Sequence, residues 1–335
     1  MSRLNPLAVR VPPGATAVRP VWADLPPAVQ AVVEQRCGAS VAAARSMGSG
    51  FTPGFASRLE LTDGGRVFVK AADDETRSMF AASYRAEIDN LRALPSSVPA
   101  PPLLWSHDAD GWVLLAMADV EGRQPTRPWT DADLASVLDA LEVTATALTP
   151  APDCVAARSF ADDFGEYVGA WRSNLERGFV PDWLVPHVDC CQDLARLAVE
   201  SLRGDTAVHT DIREDNVLLT ADRRVWICDW NWVVRGHHAI DTLAVLICAH
   251  GDGHDADAIV AERMLTRALS PDVVDGFLAL LLGYFHRAHQ EPVPMTSPWI
   301  RAHQGWYADA TGRWLGVRRD WLSSRDDRPS GDLGA

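Results

Sequence analysis

The sequence predicts an α+β fold in two lobes, a small antiparallel-sheet lobe followed by a larger, mostly helical one. Three observations carry this. Between Val41 and Ala116 short β-type runs alternate with turn residues, and one helical stretch interrupts them. From Thr130 onward, apolar residues recur at helical spacing. Within that helical half, residues 207–232 return to β-type runs around one polar stretch, His209-Thr210-Asp211-Ile212-Arg213-Glu214-Asp215-Asn216.

Length and composition agree with two lobes. A chain of 335 residues, 47% hydrophobic and 23% charged, can bury two modest cores and has the balance of an ordinary globular protein. The net charge of −14 excludes nucleic acid as a partner, since phosphate backbones call for a basic footprint, and it would concentrate a cationic ligand. No apolar run approaches the ~20 residues of a membrane span. The start of the chain, with Pro12-Pro13 and Pro20, lacks the apolar centre of a signal peptide. A cytoplasmic protein without a membrane partner is expected. Cys37, Cys154, Cys190, Cys191, Cys228 and Cys248 show no C-x-x-C spacing, so reduced thiols are expected rather than disulfides or a zinc site. One count stands out: of 31 basic residues, Lys70 is the sole lysine. A lysine is a compact point charge where arginine is a wide fork, so its neighbours matter.

The elements follow in order. Residues 1–25 are rich in proline and read as a flexible arm. The sheet lobe is expected over 26–118, opening with a short helix from Pro26-Pro27 to about Cys37. Val41–Ser46, Phe55–Leu61 and Val67–Ala71 read as strands, the last carrying Lys70. Between the first two lies Gly48-Ser49-Gly50-Phe51-Thr52-Pro53-Gly54, and Thr62-Asp63-Gly64-Gly65 makes the next turn. Phe80 to Leu94 reads as a helix with Tyr84, Ile88, Leu91 and Leu94 on one face and Glu87 flanking it. Two more strands are expected near Leu103–Ser106 and Trp112–Ala116. Met117 to Gly122 then switches the texture and reads as a hinge. The helical lobe is expected over 119–323, with helices at 130–148, 158–177, 181–203, 238–250, 255–268, 271–289 and 297–321. Trp299, His303, Trp306, Ala310, Trp314, Val317 and Trp321 form a stripe read as core packing. Residues 324–335 read as a disordered tail.

The polar stretch is H-x-D-x-x-x-x-N, a pattern suited to phosphoryl transfer. An Asp must accept the proton of an attacking hydroxyl, and an Asn and a second Asp must hold magnesium against nucleotide phosphates. Val217–Leu219 and Val225–Ile227, joined by Ala221-Asp222-Arg223-Arg224, read as a hairpin that returns Asp229 to the side of Asn216. A Glu on the helix after the lysine strand suits a Lys70–Glu87 ion pair aimed at phosphates. The glycine-rich loop has two readings, a phosphate cradle or a plain loop. Its spacing G-x-G-x-x-x-G is one residue longer than the usual form, and Ser49 and Thr52 offer hydroxyls. Backbone groups of Ala116 to Asp119, with Ala116 and Ala118 foremost, are placed for an adenine edge.

Taken together, these residues resemble the aminoglycoside phosphotransferase family, the small-molecule branch of the protein-kinase-like fold. The likeness covers roughly residues 30 to 320 and rests on His209–Asn216, Cys228-Asp229-Trp230 and Gly236-His237-His238-Ala239-Ile240-Asp241. Asp229 is followed by Trp-Asn, and no A-P-E segment follows, which leaves no room for an activation loop. The resemblance implies Asp211 as catalytic base, Asn216 and Asp229 as Mg2+ ligands, and Lys70 with Glu87 as the pair that binds ATP phosphates. It implies a structural role for Asp241 and a bracing role for His209. For Arg213 it leaves a γ-phosphate contact or a salt bridge.

The expected activity is ATP-dependent phosphorylation of a hydroxyl on a small molecule, with an amino-bearing, aminoglycoside-like acceptor as the leading expectation. Its basis is the net charge together with Asp162, Asp163, Glu166, Asp252, Asp255 and Asp257, which are expected to line the helical lobe. Two alternatives stand. One is a kinase of the same fold acting on choline, homoserine or a sugar. The other is a nucleotide-binding regulator without catalysis.

Overall fold

The computed structural model describes residues 5–322 except 10, 13, 15, 154, 156 and 157. The expected tail, 324–335, and Cys154 lie outside the described residues. Helix α1 (Pro27–Cys37) has Pro27 at its first position, where a missing N–H costs nothing, and ends at Gly38 with φ +75°. Strands β1 (Val41–Ser46), β2 (Phe55–Leu61) and β3 (Arg66–Asp73) lead to α2 (Ser78–Ala93), then β4 (Leu103–Ala109) and β5 (Trp112–Ala118). They form one antiparallel sheet in the order β1-β2-β3-β5-β4.

Strand periodicity decides where the lysine points. In β3, Val67, Val69 and Ala71 enter one core with Val29 and Val33 of α1. Phe68 and Ala72 pack on the other face against Tyr84 and Ile88 of α2. Lys70 shares that second face, the side on which α2 lies.

The helical lobe contains α3 (Asp131–Ala147), α4 (Phe160–Phe164), α5 (Ala170–Glu176), α6 (Val188–Ser201), α7 (Ile240–Gly251), α8 (Ala256–Glu262), α9 (Pro271–Ala288) and α10 (Ile300–Arg318). Three predicted helices are much shorter than expected, and 297–321 is trimmed to Ile300–Arg318. The 158–177 stretch breaks into α4, a 3-10 turn over Gly165–Gly169 and α5, because glycines at both ends of the turn weaken a continuous helix. The 181–203 stretch becomes helical only at Val188, after a 3-10 turn containing Pro186. The 255–268 stretch stops at Glu262, where Arg263 turns extended and Thr266 Oγ1 donates to the Val260 carbonyl at 2.9 Å.

Between α6 and α7 lie two small ladders. The predicted hairpin is β7 (Val217–Leu219) with β8 (Val225–Ile227), and β6 (Thr206–Val208) pairs with β9 (Val234–Gly236). The second ladder was not expected, since three-residue strands are too short to show alternation. In α10, Trp306, Ala310 and Trp314 are buried as core, but Val317 and, just before the helix, Trp299 are exposed. Among the described residues, no helix is long and apolar enough to cross a membrane.

Candidate active site

The catalytic stretch follows β6 and is held by short-range contacts. Asp241, in the first turn of α7, accepts the backbone N–H groups of His209 (2.8 Å) and Thr210 (2.7 Å). Thr210 sits at φ +64°, a costly conformation for a β-branched residue, and its Oγ1 donates to the Trp232 carbonyl at 2.8 Å. His209 is buried and spans the loop: Nε2 donates to the Cys228 carbonyl (2.9 Å) while Nδ1 accepts the Asp211 N–H (3.2 Å). Those two contacts fit the neutral ring, and burial pushes its pKa down to about 4. The expected bracing roles of His209 and Asp241 match what these side chains touch.

Asp211 is brought beside Asn216 by the 3-10 turn Glu214–Asn216. Asn216 Nδ2 donates to the Asp211 carbonyl (2.8 Å) and to its Oδ2 (3.0 Å). Arg213 takes the other Asp211 oxygen at 2.9 Å and clasps Asp215 through Nε (2.9 Å) and Nη2 (3.2 Å). Of the two readings for Arg213, the structure shows the salt bridge. Burial raises the Asp211 carboxyl to about 7, with Arg213 pulling the other way.

Across the cleft, Lys70 Nζ donates to Glu87 Oε1 (2.8 Å) and Oε2 (2.7 Å), and to Asp229 Oδ1 (2.7 Å). Its side chain is 11% exposed and that of Glu87 0%. Burial pulls the pKa of the ammonium down, but Asp229 and Glu87 outweigh it and hold Lys70 charged. Burial raises Glu87, which Lys70 opposes. Asp229 sits at φ +68°, and α2 ties down its loop: Asn90 Nδ2 donates to the Trp230 carbonyl and Asn231 Nδ2 to Ser83 Oγ, both at 2.7 Å. Asn90 was not singled out in the sequence. Its place three residues after Glu87, on the same side of the helix, was the available signal.

The glycine-rich loop is held from outside. Arg19 donates through Nη2 to the Ser49 carbonyl (2.9 Å) and through Nη1 to the Gly54 carbonyl (3.2 Å). Thr16 Oγ1 donates to the carbonyls of Gly48 (3.2 Å) and Gly50 (2.5 Å). Gln124 Nε2 reaches Ser49 Oγ (3.0 Å) and the Asp215 carbonyl (3.0 Å), and Ser297 Oγ donates to the Phe51 carbonyl (2.5 Å). The described part of residues 1–25 therefore differs from the flexible arm expected. Leu7 N–H donates to the Gly251 carbonyl (2.8 Å) and Val18 N–H to that of Thr296 (2.8 Å), both in the helical lobe, while Thr16 and Arg19 reach the glycine-rich loop of the sheet lobe. Proline-rich sequence hid this, because extended chain finds its partners elsewhere.

Two clefts meet at this centre. One, about 120 Å³, lies under the sheet and is lined by Lys70, Glu87, Ser49, Thr52, Ala118, Asn216 and Asp229 among others. The other, about 1120 Å³, opens over the helical lobe and is lined by Asp211, Arg213, Thr52 and Asp229 with Phe51, Tyr167, Trp232, Tyr284, Phe285 and Tyr307. Ala116 is outside both. It lies in the middle of the sheet, paired with Val69 and Trp105, and its side chain belongs to the apolar core. Ala118 lines the cleft, but its N–H already donates to the Pro102 carbonyl at 2.9 Å. Asp162, Asp163 and Glu166 do line the larger cleft. Asp252, Asp255 and Asp257 do not. Asp252 is buried against Arg127 at 2.7 Å, Asp255 caps α8, and Asp257 pairs with Arg318.

The donor set suits magnesium. Asn216 spends Nδ2 on Asp211 and Asp229 spends Oδ1 on Lys70. That leaves one oxygen of each without a hydrogen bond among the described residues. Hard oxygen donors of this kind, one or two per ion, are what a phosphate-bound magnesium takes from a protein. Among the described residues, no group of three or more His, Cys, Asp or Glu forms a separate metal cage.

No family model and no curated relative matches the chain. Solved structures do. A thermostable mutant of the aminoglycoside phosphotransferase APH(4)-Ia, in ternary complex with AMP-PNP and hygromycin B, matches with TM-score 0.59 and 14% identity. The match covers 89% of this chain and 100% of that one. An aminoglycoside phosphotransferase from Alicyclobacillus acidocaldarius matches with TM-score 0.56 and 16% identity, over 84% and 92%. A macrolide 2'-phosphotransferase type I matches with TM-score 0.54 and 16% identity, over 88% and 97%. The chain has the kinase-like fold of these small-molecule phosphotransferases.

Proposed function

We propose that this protein transfers the γ-phosphoryl group of ATP to a hydroxyl of a small molecule. One observation carries the reading: Lys70, clamped by Glu87 and Asp229, faces the small cleft, while Asp211 faces the large one, and Asp229 lines both. In this reading the charged lysine serves the phosphates and the carboxylate serves the acceptor, on either side of one passage. The structural neighbours support it, since one was solved with AMP-PNP and hygromycin B.

In this reading Lys70 and Glu87 bind and orient the nucleotide phosphates, and Ser49 and Thr52 flank them. Asp211 positions the acceptor hydroxyl and takes its proton, while Arg213 and Asn216 fix the rotation of that carboxylate. Asn216 and Asp229 would hold magnesium, which when bound offsets phosphate charge. The work is positioning and electrostatics rather than covalent chemistry.

The acceptor we propose is an amino-bearing, hydroxyl-rich compound. Asp162, Asp163 and Glu166 at the large cleft support the amine; Asp163 is already paired with Arg158. A second reading has its own observation. Phe51, Tyr167, Trp232, Tyr284, Phe285 and Tyr307 give that cleft an aromatic interior, which favours an acceptor with an apolar face and little charge. A steady-state assay with amino-bearing and neutral hydroxylated acceptors over a salt series decides between them. Preference for amines, with kcat/KM falling as salt rises, supports the first; neutral preference and indifference to salt support the second. Absence of ATP turnover with every acceptor would return the reading to a silent nucleotide binder.

A further inference from the structure

We infer that Arg19, carried under the glycine-rich loop by the N-terminal arm, is a phosphate-binding cation specific for the terminal phosphoryl group of the nucleotide. The inference rests on the reading of the cleft as a nucleotide site. Among the described residues, four line both clefts: Arg19, Gly50, Thr52 and Asp229. A phosphoryl group that leaves a nucleotide on one side for a hydroxyl on the other must cross the space between them. Arg19 is the sole cation of the four.

The side chain is built into this place. Gly50 takes φ +83°, and a Cβ there would lie 2.9 Å from Arg19 Nη2, so loop and guanidinium are fitted to each other. Nη1 and Nη2 are spent on loop carbonyls, which fixes the fork. Its Nε is buried and has no hydrogen-bond partner among the described residues. The Tyr84 hydroxyl, one helical turn before Glu87 and lining the same small cleft, is likewise buried without one. Two orphaned donors at one cleft call for an acceptor, because an unsatisfied buried polar group is costly. A phosphate oxygen supplies it, and a guanidinium matches phosphate in geometry and charge. Lys70 shares its charge with Glu87 and Asp229, so Arg19 adds a second cation where the irregular glycine loop provides none.

The test measures equilibrium binding of MgATP, MgADP and adenosine to the full chain and to Arg19→Ala, with Arg19→Gln as a second variant. Glutamine keeps a donor for the loop carbonyls but removes the charge, so it remains informative should the alanine variant fail to fold. Loss of a charge-assisted phosphate contact is worth about tenfold to a hundredfold in affinity. The expected result is a loss of that size for MgATP, at most about threefold for MgADP and none for adenosine, in both variants. Equal losses for all three ligands, with a lowered melting temperature, would make Arg19 a structural brace and overturn the inference. Tighter MgATP binding by the variants would also overturn it and make the arm a plug. If the unaltered chain binds none of the ligands, the nucleotide reading itself falls, a result separate from any property of Arg19.

Discussion

The catalytic loop and the glycine-rich loop face each other across the cleft and are held by opposite means. The catalytic loop is braced mainly by its own neighbourhood: His209, Asp211, Asn216, Cys228 and Asp241 lie within one stretch of chain and bond to one another, with Gln124 reaching the Asp215 carbonyl from outside. The glycine-rich loop makes few bonds of its own. Thr16 and Arg19 hold it from before, Gln124 from the segment that follows the sheet lobe, and Ser297 from 246 residues after Phe51. A loop braced from within keeps its geometry when the lobes move. A loop braced from without takes its geometry from the lobes.

The comparison can be broken first at Asp211. A general base contributes typically about 10²–10⁴-fold, so Asp211→Ala should lower turnover by that order while MgATP affinity changes little. Turnover and nucleotide titration together check it. Loss of both would show that the carboxylate holds the loop rather than serving the acceptor.

Lys70→Arg comes next. It keeps the charge but forces a planar fork between Glu87 and Asp229, and we expect a loss of roughly tenfold or more in kcat/KM for ATP. Glu87→Gln should cost less, since the lysine keeps Asp229. A Lys70→Arg protein with unchanged steady-state constants would remove the lone lysine from the site.

Asp241→Asn tests bracing from within. The amide offers one acceptor oxygen where the carboxylate used two, leaving a buried N–H of His209 or Thr210 unpaired at about 1–3 kcal/mol. Urea unfolding should show that loss without selective weakening of nucleotide binding. The smallest effect is expected for Thr16→Val, which deletes the hydroxyl bonds to Gly48 and Gly50 at about 1 kcal/mol. Its signature should be faster hydrogen exchange confined to the glycine-rich loop, with the catalytic loop unchanged. Equal loosening of both loops would erase the distinction drawn here.

The same contrast explains what was legible in the sequence. His209, Asp211, Asn216 and Asp229 form a pattern because their geometry comes from local chain spacing. Lys70 stood out by composition, and Glu87 by lying on the next helix. Strand alternation placed the five strands of the sheet lobe close to where they are observed, while helical spacing overran the helices broken at Gly165–Gly169, before Val188 and after Glu262. Arg19, Thr16, Gln124 and Ser297 carry no such signal. One arginine among 30 in the chain has nothing in its neighbourhood to mark it. Ala116 failed for a related reason: a strand at the lobe boundary reads the same whether its backbone is free or already paired on both sides. Asp252 and Asp257 looked like free acids because their partners, Arg127 and Arg318, lie far along the chain.

A chain with a single lysine also offers a direct chemical report on its own motion. Amine-selective acylating reagents find one side chain, Lys70, besides the terminal amine, and that side chain is gripped by two carboxylates beneath the sheet. An ammonium so held is protonated and shielded, so it is not a nucleophile while the cleft is shut. Modification must wait for the grip to loosen, and in that regime the labelling rate counts opening events. A second, solvent-facing lysine would bury that signal under background. Here peptide mapping after timed labelling would read the breathing of the two lobes from one residue.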